Sequence, residues 1–286
     1  MSYVILSRIT GLDQLYLKEF DQKKIYCSSV AKKEAQRLRK RAINLQETEW
    51  DKQVPGLIRI SSLNARSLQQ HPQDLHKDIF IMASDIIAVQ ETWFETDPGN
   101  PITPFNEYFL HGHSKGIALF TRMRPITVEK SQSVHCSIIK ASFPQFDLLN
   151  VYRFSADACI QLFTEEVIQL LDRSRTQIIV GDININLLKS PWNPFTDSLE
   201  QRGFQQMVTR PTHVLGGLID HVYFYSPDAD ASCTLHKYHT VFWSDHTCQS
   251  IILRTSPQPT GNWLNNLSYI LIFHNFFRMI CSQGRS

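Results

Sequence analysis

From Leu57 onward, short apolar runs alternate with polar segments. Leu57-Ile-Arg-Ile60, Ile86-Ile-Ala-Val89, Gly116-Ile-Ala-Leu-Phe120, Ser137-Ile-Ile139, Leu148-Leu-Asn-Val-Tyr152, Ile178-Ile-Val180, His221-Val-Tyr-Phe224 and Gln249-Ser-Ile-Ile-Leu253 are rich in β-branched and aromatic residues. Each is short and bounded by turn formers, which predicts a strand. Between two of them, Ile160, Phe163, Val167, Leu170 and Leu171 recur at helical spacing from Asp157 to Arg173 and predict an amphipathic helix. Strands outnumber helices, yet helices intervene. That pattern predicts an α/β sandwich with helices packed outside two sheets. Tyr225 to Trp243 carries no clear pattern of either kind.

The first fifty residues read differently. Tyr3-Val-Ile-Leu6 and Leu15-Tyr-Leu17 predict short strands, and Val30 to Leu45 a basic helix with Lys32, Lys33, Arg37, Arg39, Lys40 and Arg41 in solvent. Residues 1–50 hold ten Lys/Arg against six Asp/Glu, whereas the rest holds 19 against 21. The net charge of +2 therefore conceals a basic segment on a slightly acidic body. Such a segment is too short to bury a core and reads as the end of something larger. The expected organisation is residues 1–50, a linker over 51–56, one domain over 57–255 and a tail of unclear structure over 256–286.

Composition narrows the class. With 42% hydrophobic and 20% charged residues the chain is globular, which excludes disordered, collagen-like and disulfide-stapled classes. Cys27, Cys136, Cys159, Cys233, Cys248 and Cys281 form no C-x-x-C pair, and no cationic segment precedes an apolar leader. The expectation is reduced thiols in an intracellular protein. The apolar stretch Leu264 to Ile280 is broken by Asn265, Asn266, His274, Asn275 and Arg278, while a bilayer span needs about 20 apolar residues. No membrane partner is expected.

Polar residues collect where the strands end. Asn64 follows the first run, Glu91 the second, Tyr152-Arg153 the fifth, and Asp182 and Asn184 the sixth. Asp220 opens the seventh, and Ser244-Asp245-His246 opens the last. Each alone reads as a cap or turn residue. In sequence, four carboxylates, two amides and a histidine at strand ends describe a shared crevice built for phosphate-ester hydrolysis. A hard divalent cation, Mg²⁺ or Mn²⁺, wants oxygen ligands, which suits Glu91 with help from Asn64 and Asp245. Asp182 is the candidate base, with Asn184 a neutral donor beside it. His246, held protonated by Asp220, would donate to a phosphate oxygen, as would the Tyr152 hydroxyl.

Asn64, Gln90-Glu91-Thr92, Tyr152-Arg153, Gly181-Asp182-Ile183-Asn184, Ile219-Asp220-His221 and Ser244-Asp245-His246 together resemble the endonuclease/exonuclease/phosphatase superfamily, the fold of DNase I and apurinic endonucleases. Asn64 to Leu68, Glu91-Thr-Trp93 and Thr209-Arg-Pro-Thr212 resemble the endonuclease domains of retroelements within it. The resemblance implies a four-layer α/β sandwich, Mg²⁺-dependent DNA cleavage leaving a 3′-hydroxyl, Glu91 as metal ligand, Asp182 as base, and Asp220 orienting His246. The chain departs from the family at Ser114-Lys115-Gly116, where paired small residues are common.

Tyr3-Val-Ile-Leu-Ser-Arg-Ile-Thr10, with Leu12-Asp-Gln-Leu-Tyr16 and Phe20-Asp21, is similar to the last motif of Pif1-like helicases, whose arginine, here Arg8, touches the nucleotide γ-phosphate. The phosphate loop that would accompany it is absent from the sequence, so no ATP hydrolysis is expected. A helicase end followed by such an endonuclease resembles the proteins of Helitron-like (Helentron) transposons. A nuclear, DNA-bound partner set follows as an expectation. The rival readings are another phosphoesterase on this fold, acting on RNA, inositol phosphate or phospholipid, and a catalytically silent remnant that binds DNA. The five tryptophans read as core or rim packing, and His111 and His113 as surface histidines.

Overall fold

A computed structural model of the chain describes residues 56–94, 108–114 and 116–255. Arg8, the basic helix, the linker up to Pro55, Trp50, Trp263 and the tail lie outside the described residues. The chain divides between Lys52 and Gln53, and every described residue belongs to the second unit.

Twelve strands and four helices are described. In chain order they are β1 (Leu57–Asn64), α1 (Pro72–Lys77), α2 (Ile79–Met82), β2 (Ile86–Gln90), β3 (Phe109–Ser114), β4 (Ile117–Thr121), β5 (Thr127–Gln132) and β6 (Cys136–Ser142). There follow β7 (Phe146–Arg153), α3 (Ile160–Gln169), β8 (Thr176–Asp182), α4 (Pro194–Glu200), β9 (Gln205–Gln206), β10 (Asp220–Tyr225), β11 (Ser232–Thr240) and β12 (Thr247–Arg254). The strands form two six-stranded sheets, ordered β11-β12-β1-β2-β4-β3 and β5-β6-β7-β8-β10-β9. Each sheet is built around one parallel pair, β1 with β2 and β7 with β8, and every other pairing is antiparallel.

Side-chain alternation decides what faces what. Ile58 and Ile60 of β1, Ile86 and Ala88 of β2, Leu148 of β7, Ile178 and Val180 of β8 and Val222 of β10 meet between the sheets. The intervening residues face outward. Leu63, Ile87 and Val89 pack with Leu75 of α1 and Ile81 of α2, while Leu149, Val151, Ile179 and Tyr223 pack with Phe163 of α3 and Phe195 of α4. The result is four layers, helix, sheet, sheet and helix, as expected.

All eight predicted strands are present; seven are extended by a residue or more, and Gly116–Phe120 is shifted by one to Ile117–Thr121. The predicted helix is shorter than its apolar spacing implied, Ile160–Gln169 instead of 157–173. The Arg153 guanidinium takes the carbonyls of Ala156 and Ala158 and holds that approach segment out of the helix. At the other end, Asp172 turns back onto the Ser174 backbone and hydroxyl. Strands β3, β5, β9 and β11 and helices α1, α2 and α4 were not predicted. Both β5 and β11 are sheet edges without a buried residue, held by main-chain pairing, so no apolar run announces them.

Gly181 is required by packing. Its φ is +141°, and a Cβ there would lie 1.8 Å from the Val151 carbonyl oxygen on the neighbouring strand β7. The glycine before Asp182 is what lets β7 and β8 run close together to the site.

Candidate active site

The alternation that fills the inter-sheet core also aims the site residues. Asn64 shares the phase of Ile58 and Ile60, Tyr152 that of Leu148, Asp182 that of Ile178 and Val180, and Asp220 that of Val222. All therefore enter the crevice between the sheets where the parallel pairs end. The register sets Asn64 beside Gln90, Tyr152 beside Asp182, and Asp220 opposite Asp182.

Glu91 is out of phase: simple alternation would send it to the outer face. Its φ of +52° reverses the chain instead. Among the described residues, the other non-glycine residues with positive φ are Arg66, Trp93 and Asn184, all on loops that leave these same strands. Backbone conformations that cost energy cluster here, as they do at functional sites.

Polar side chains bridge the two sheets. The Asn64 amide donates to Glu91 Oε1 at 2.9 Å and to Asp182 Oδ2 at 2.8 Å, its own oxygen being occupied by the Arg66 backbone N–H at 2.8 Å. Tyr152 donates to the same Glu91 oxygen at 3.3 Å. The Trp93 indole N–H lies 3.4 Å from Glu91 Oε2. His246 Nδ1 meets both oxygens of Asp220, at 3.0 and 2.9 Å, which leaves Nε2 as the outward donor. Deeper in, Gln90 donates to Asn150 at 2.7 Å, and Asn150 donates to the carbonyls of Ala118 and Val89.

The backbone is tied to match. Ser244 accepts from the His246 N–H and donates to the Asn64 carbonyl at 2.7 Å, linking the last strand to the first. The Thr212 hydroxyl receives the N–H groups of Ile219 and Asp220. Gly116 gives space to Tyr152, since a Cβ there would approach the ring to 3.0 Å. At that point the departure Ser114-Lys115-Gly116 keeps the one small residue the packing uses.

Burial sets the proton affinities. Asp182 is buried, which pushes its carboxyl well above the usual carboxylate range; the nearby Asp220 charge adds to this, while His246 and the Asn64 hydrogen bond oppose it. For His246, burial disfavours charge, but the Asp220 hydrogen bond and the charges of Asp220, Asp182 and Asp245 outweigh it and raise the imidazole to about 9. Burial and then the Glu91 and Asp182 charges push the Tyr152 phenol up, so it is a donor at neutral pH.

The structure joins Asn64, Glu91, Tyr152 and Asp182 by hydrogen bonds and sets the Asp220–His246 pair beside them, with ligand atoms of Asp182, Asp220 and His246 within 4.8 Å of one another. Asn184 joins differently from the expectation. Its side-chain amide donates to the Arg153 carbonyl at 2.6 Å, so it serves Asp182 through its backbone N–H at 3.0 Å. Asp245 lies at the opening, 3.6 Å from the Arg66 guanidinium and 3.7 Å from His213 Nε2.

Sequence reasoning gave no role to three residues. Asn150 sits mid-strand in an apolar run at the phase of the crevice, a signal that alternation contains. Buried Arg153, named in the sequence only by its place at a strand end, clamps the carbonyls of Ile183 and Asn184, a role that tertiary contact alone reveals. His213 follows Thr212 directly and stands edge-on to His246 with ring centroids 4.8 Å apart.

Two groups of described residues bring ligand atoms within 4.8 Å of one another, His213 with Asp245 and His246, and Asp182 with Asp220 and His246. Glu91 belongs to neither, its neighbours being Asn64 and Tyr152. The donors around the opening are oxygens and imidazoles, and Cys136 and Cys248 are buried in the outer layers. Oxygen donors at a solvent-reached opening fit a hard divalent cation.

The endonuclease/exonuclease/phosphatase family profile matches residues 59–246. No curated protein sequence matches the chain. Among solved structures, an AP endonuclease from Archaeoglobus fulgidus is similar at a TM-score of 0.52 and 18% identity, over 68% of this chain and 98% of its own. An endonuclease/exonuclease/phosphatase family protein from Leptotrichia buccalis gives 0.51 and 12%, over 69% and 99%. A 3′-5′ exonuclease from Neisseria meningitidis gives 0.50 and 17%, over 68% and 98%. At such identities the likeness is one of fold.

Proposed function

We propose, from the premise that this chain belongs to the endonuclease/exonuclease/phosphatase family, that it is a divalent-cation-dependent DNA endonuclease that hydrolyses phosphodiesters with water as nucleophile. The observation that carries this reading is the meeting of two groups across the sheets: Asn64, bonded to both Glu91 and Asp182, and the Asp220–His246 pair, whose ligand atoms lie within 4.8 Å of those of Asp182. Retroelement-type motifs at Asn64–Leu68, Glu91–Trp93 and Thr209–Thr212 favour DNA.

Glu91 and Asp245 would hold Mg²⁺ or Mn²⁺, with Asn64 fixing the Glu91 carboxylate. When bound, the cation offsets negative charge on the phosphate. Asp182, of raised basicity and fixed by Asn64 and the Asn184 N–H, takes a proton from the attacking water. His246, kept cationic by Asp220, donates from Nε2 to a non-bridging phosphate oxygen, and the Tyr152 hydroxyl does the same. The bond from phosphorus to the 3′ oxygen breaks and that oxygen takes a proton from solvent, leaving a 3′-hydroxyl and a 5′-phosphate. The origin in a Helentron-like transposon and the nuclear location rest on the sequence of residues 1–50. Among the described residues no helix is long and apolar enough to cross a membrane.

The test is nicking of supercoiled plasmid by the full chain with Mg²⁺. Asp182→Ala and His246→Ala each lower the rate by about 10²–10⁴-fold while far-UV circular dichroism is unchanged. Nicking retained by both variants defeats the reading. Parallel assays on RNA and on inositol phosphates separate it from other phosphoesterases.

A further inference from the structure

Beside Glu91 the surface opens into a cavity of about 500 Å³ that hydrolysis itself does not use, lined chiefly by Arg66, Gln69, Gln70, His71, Trp93 and Trp243. Its walls are of two kinds. Trp243 is buried and stacked on His71 with ring centroids 5.6 Å apart, a fixed base to the cavity. Trp93 is 59% exposed and stands at the rim, its N–H toward Glu91. Of the tryptophans that the sequence assigns to core or rim, Trp243 is thus a core residue and Trp93 a rim residue.

The loop opposite is held to the Glu91–Trp93 segment by main-chain bonds, Leu68 N–H to the Glu91 carbonyl and Gln69 N–H to the Thr92 carbonyl. That loop presents Gln69 and Gln70, both exposed, whose side-chain amides have no hydrogen-bond partner among the described residues. Arg66 stands between the cavity and the site, its guanidinium largely in solvent and 3.6 Å from Asp245. An aromatic face, free amides and a guanidinium are the groups that stack a base, read a base edge and hold a phosphate. The volume lies within the range of about 300–1,000 Å³ typical of small-ligand sites, enough for one nucleotide. In a uniform duplex both faces of each base are covered by neighbours, so only an unstacked base can lie on Trp93. A lipid chain or an inositol ring would leave the aromatic wall and the amides without a matching group.

We infer that this cavity binds one unpaired nucleotide flanking the scissile phosphate. The substrate class is then DNA with an unpaired base, as at a bulge, a gap or a single-stranded junction, an inference that rests on reading the chain as a DNA endonuclease.

The experiment uses the full chain in chelator and measures, by fluorescence polarisation, the Kd for two oligonucleotide duplexes that differ by one unpaired nucleotide. Wild type binds the duplex with the unpaired nucleotide more tightly. Trp93→Phe, which keeps a ring but loses the N–H to Glu91, retains the preference. Trp93→Leu reduces it by roughly 5- to 150-fold, the worth of one stacked base. Equal affinity of wild type for the two DNAs overturns the inference. So does a preference untouched by Trp93→Leu, or one lost as fully in Trp93→Phe. Nicking of both DNAs by wild type with Mg²⁺ is scored separately. Absence of all nicking defeats the endonuclease reading and leaves the binding comparison legible.

Discussion

His246 in the crevice between the sheets and His221 beneath the outer helices are both buried, and they treat protons in opposite ways. His221 follows Asp220 on β10 and so points to the other face. There its Nε2–H donates to the Ile185 carbonyl at 2.9 Å, and its Nδ1 accepts from the Tyr223 hydroxyl at 3.1 Å. Every partner is neutral, and burial lowers the imidazole to about 4. His246 faces Asp220 and is raised to about 9. Burial alone therefore does not mark the site. What distinguishes the two is that His246 faces ionisable groups from both sheets across the crevice, whereas His221 is satisfied by a backbone carbonyl and a hydroxyl.

The largest expected effect concerns His221. A histidine with a folded pKa below its unfolded value near 6.5 contributes stability that is complete above 6.5 and is lost as pH falls toward 4. The loss is up to about 3 kcal/mol by pH 4. Urea unfolding of the chelated protein between pH 7 and 4 should show this slope, and His221→Gln should flatten it while leaving plasmid nicking within a few-fold of wild type. A His221→Gln protein with wild-type slope would erase the contrast between the two histidines.

His246 supplies the opposite sign. Its folded pKa lies above the unfolded one, so its contribution is complete below 6.5 and disappears as pH rises through about 9. Asp220→Asn should lower the His246 pKa well below 9, since burial is then opposed only by the Asp182 and Asp245 charges, as read by NMR titration of the imidazole. The stability gap between wild type and this variant, of order 2 kcal/mol at pH 6, should shrink toward pH 10. A His246 pKa unmoved by Asp220→Asn would mean that the crevice pair is not what holds the proton.

The smallest effect sharpens the division within the crevice. Glu91→Gln should weaken Mn²⁺ binding by about tenfold in calorimetry, with nicking restored at higher Mn²⁺ concentration. Asp182→Ala should not be restored in this way. Equal rescue of both would merge the cation-holding and proton-taking groups into one.

The apolar runs were enough to locate the eight central strands, because each is buried on one or both faces and must be hydrophobic there. The site was legible for a related reason: Asn64, Tyr152, Asp182 and Asp220 continue the inward phase of those runs. Edge strands β5 and β11 were not legible, since main-chain pairing needs no particular side chain. Helix α4 was announced by Asn193-Pro194 with Thr196, an N-cap with its reciprocal bond, and was overlooked in a short polar stretch.

By itself the sequence determined the alternation, and with it which face of each strand carries oxygen and nitrogen donors, because side chains repeat every two residues along a strand. Tertiary structure alone decided which donors meet. Glu91 turns inward through a positive φ, the Asn184 amide turns away to Arg153, His213 arrives beside His246, and Trp93 is left bare over a cavity. Those outcomes depend on loop conformation and on the spacing of two sheets, set by contacts between residues far apart in the chain, which periodicity does not encode.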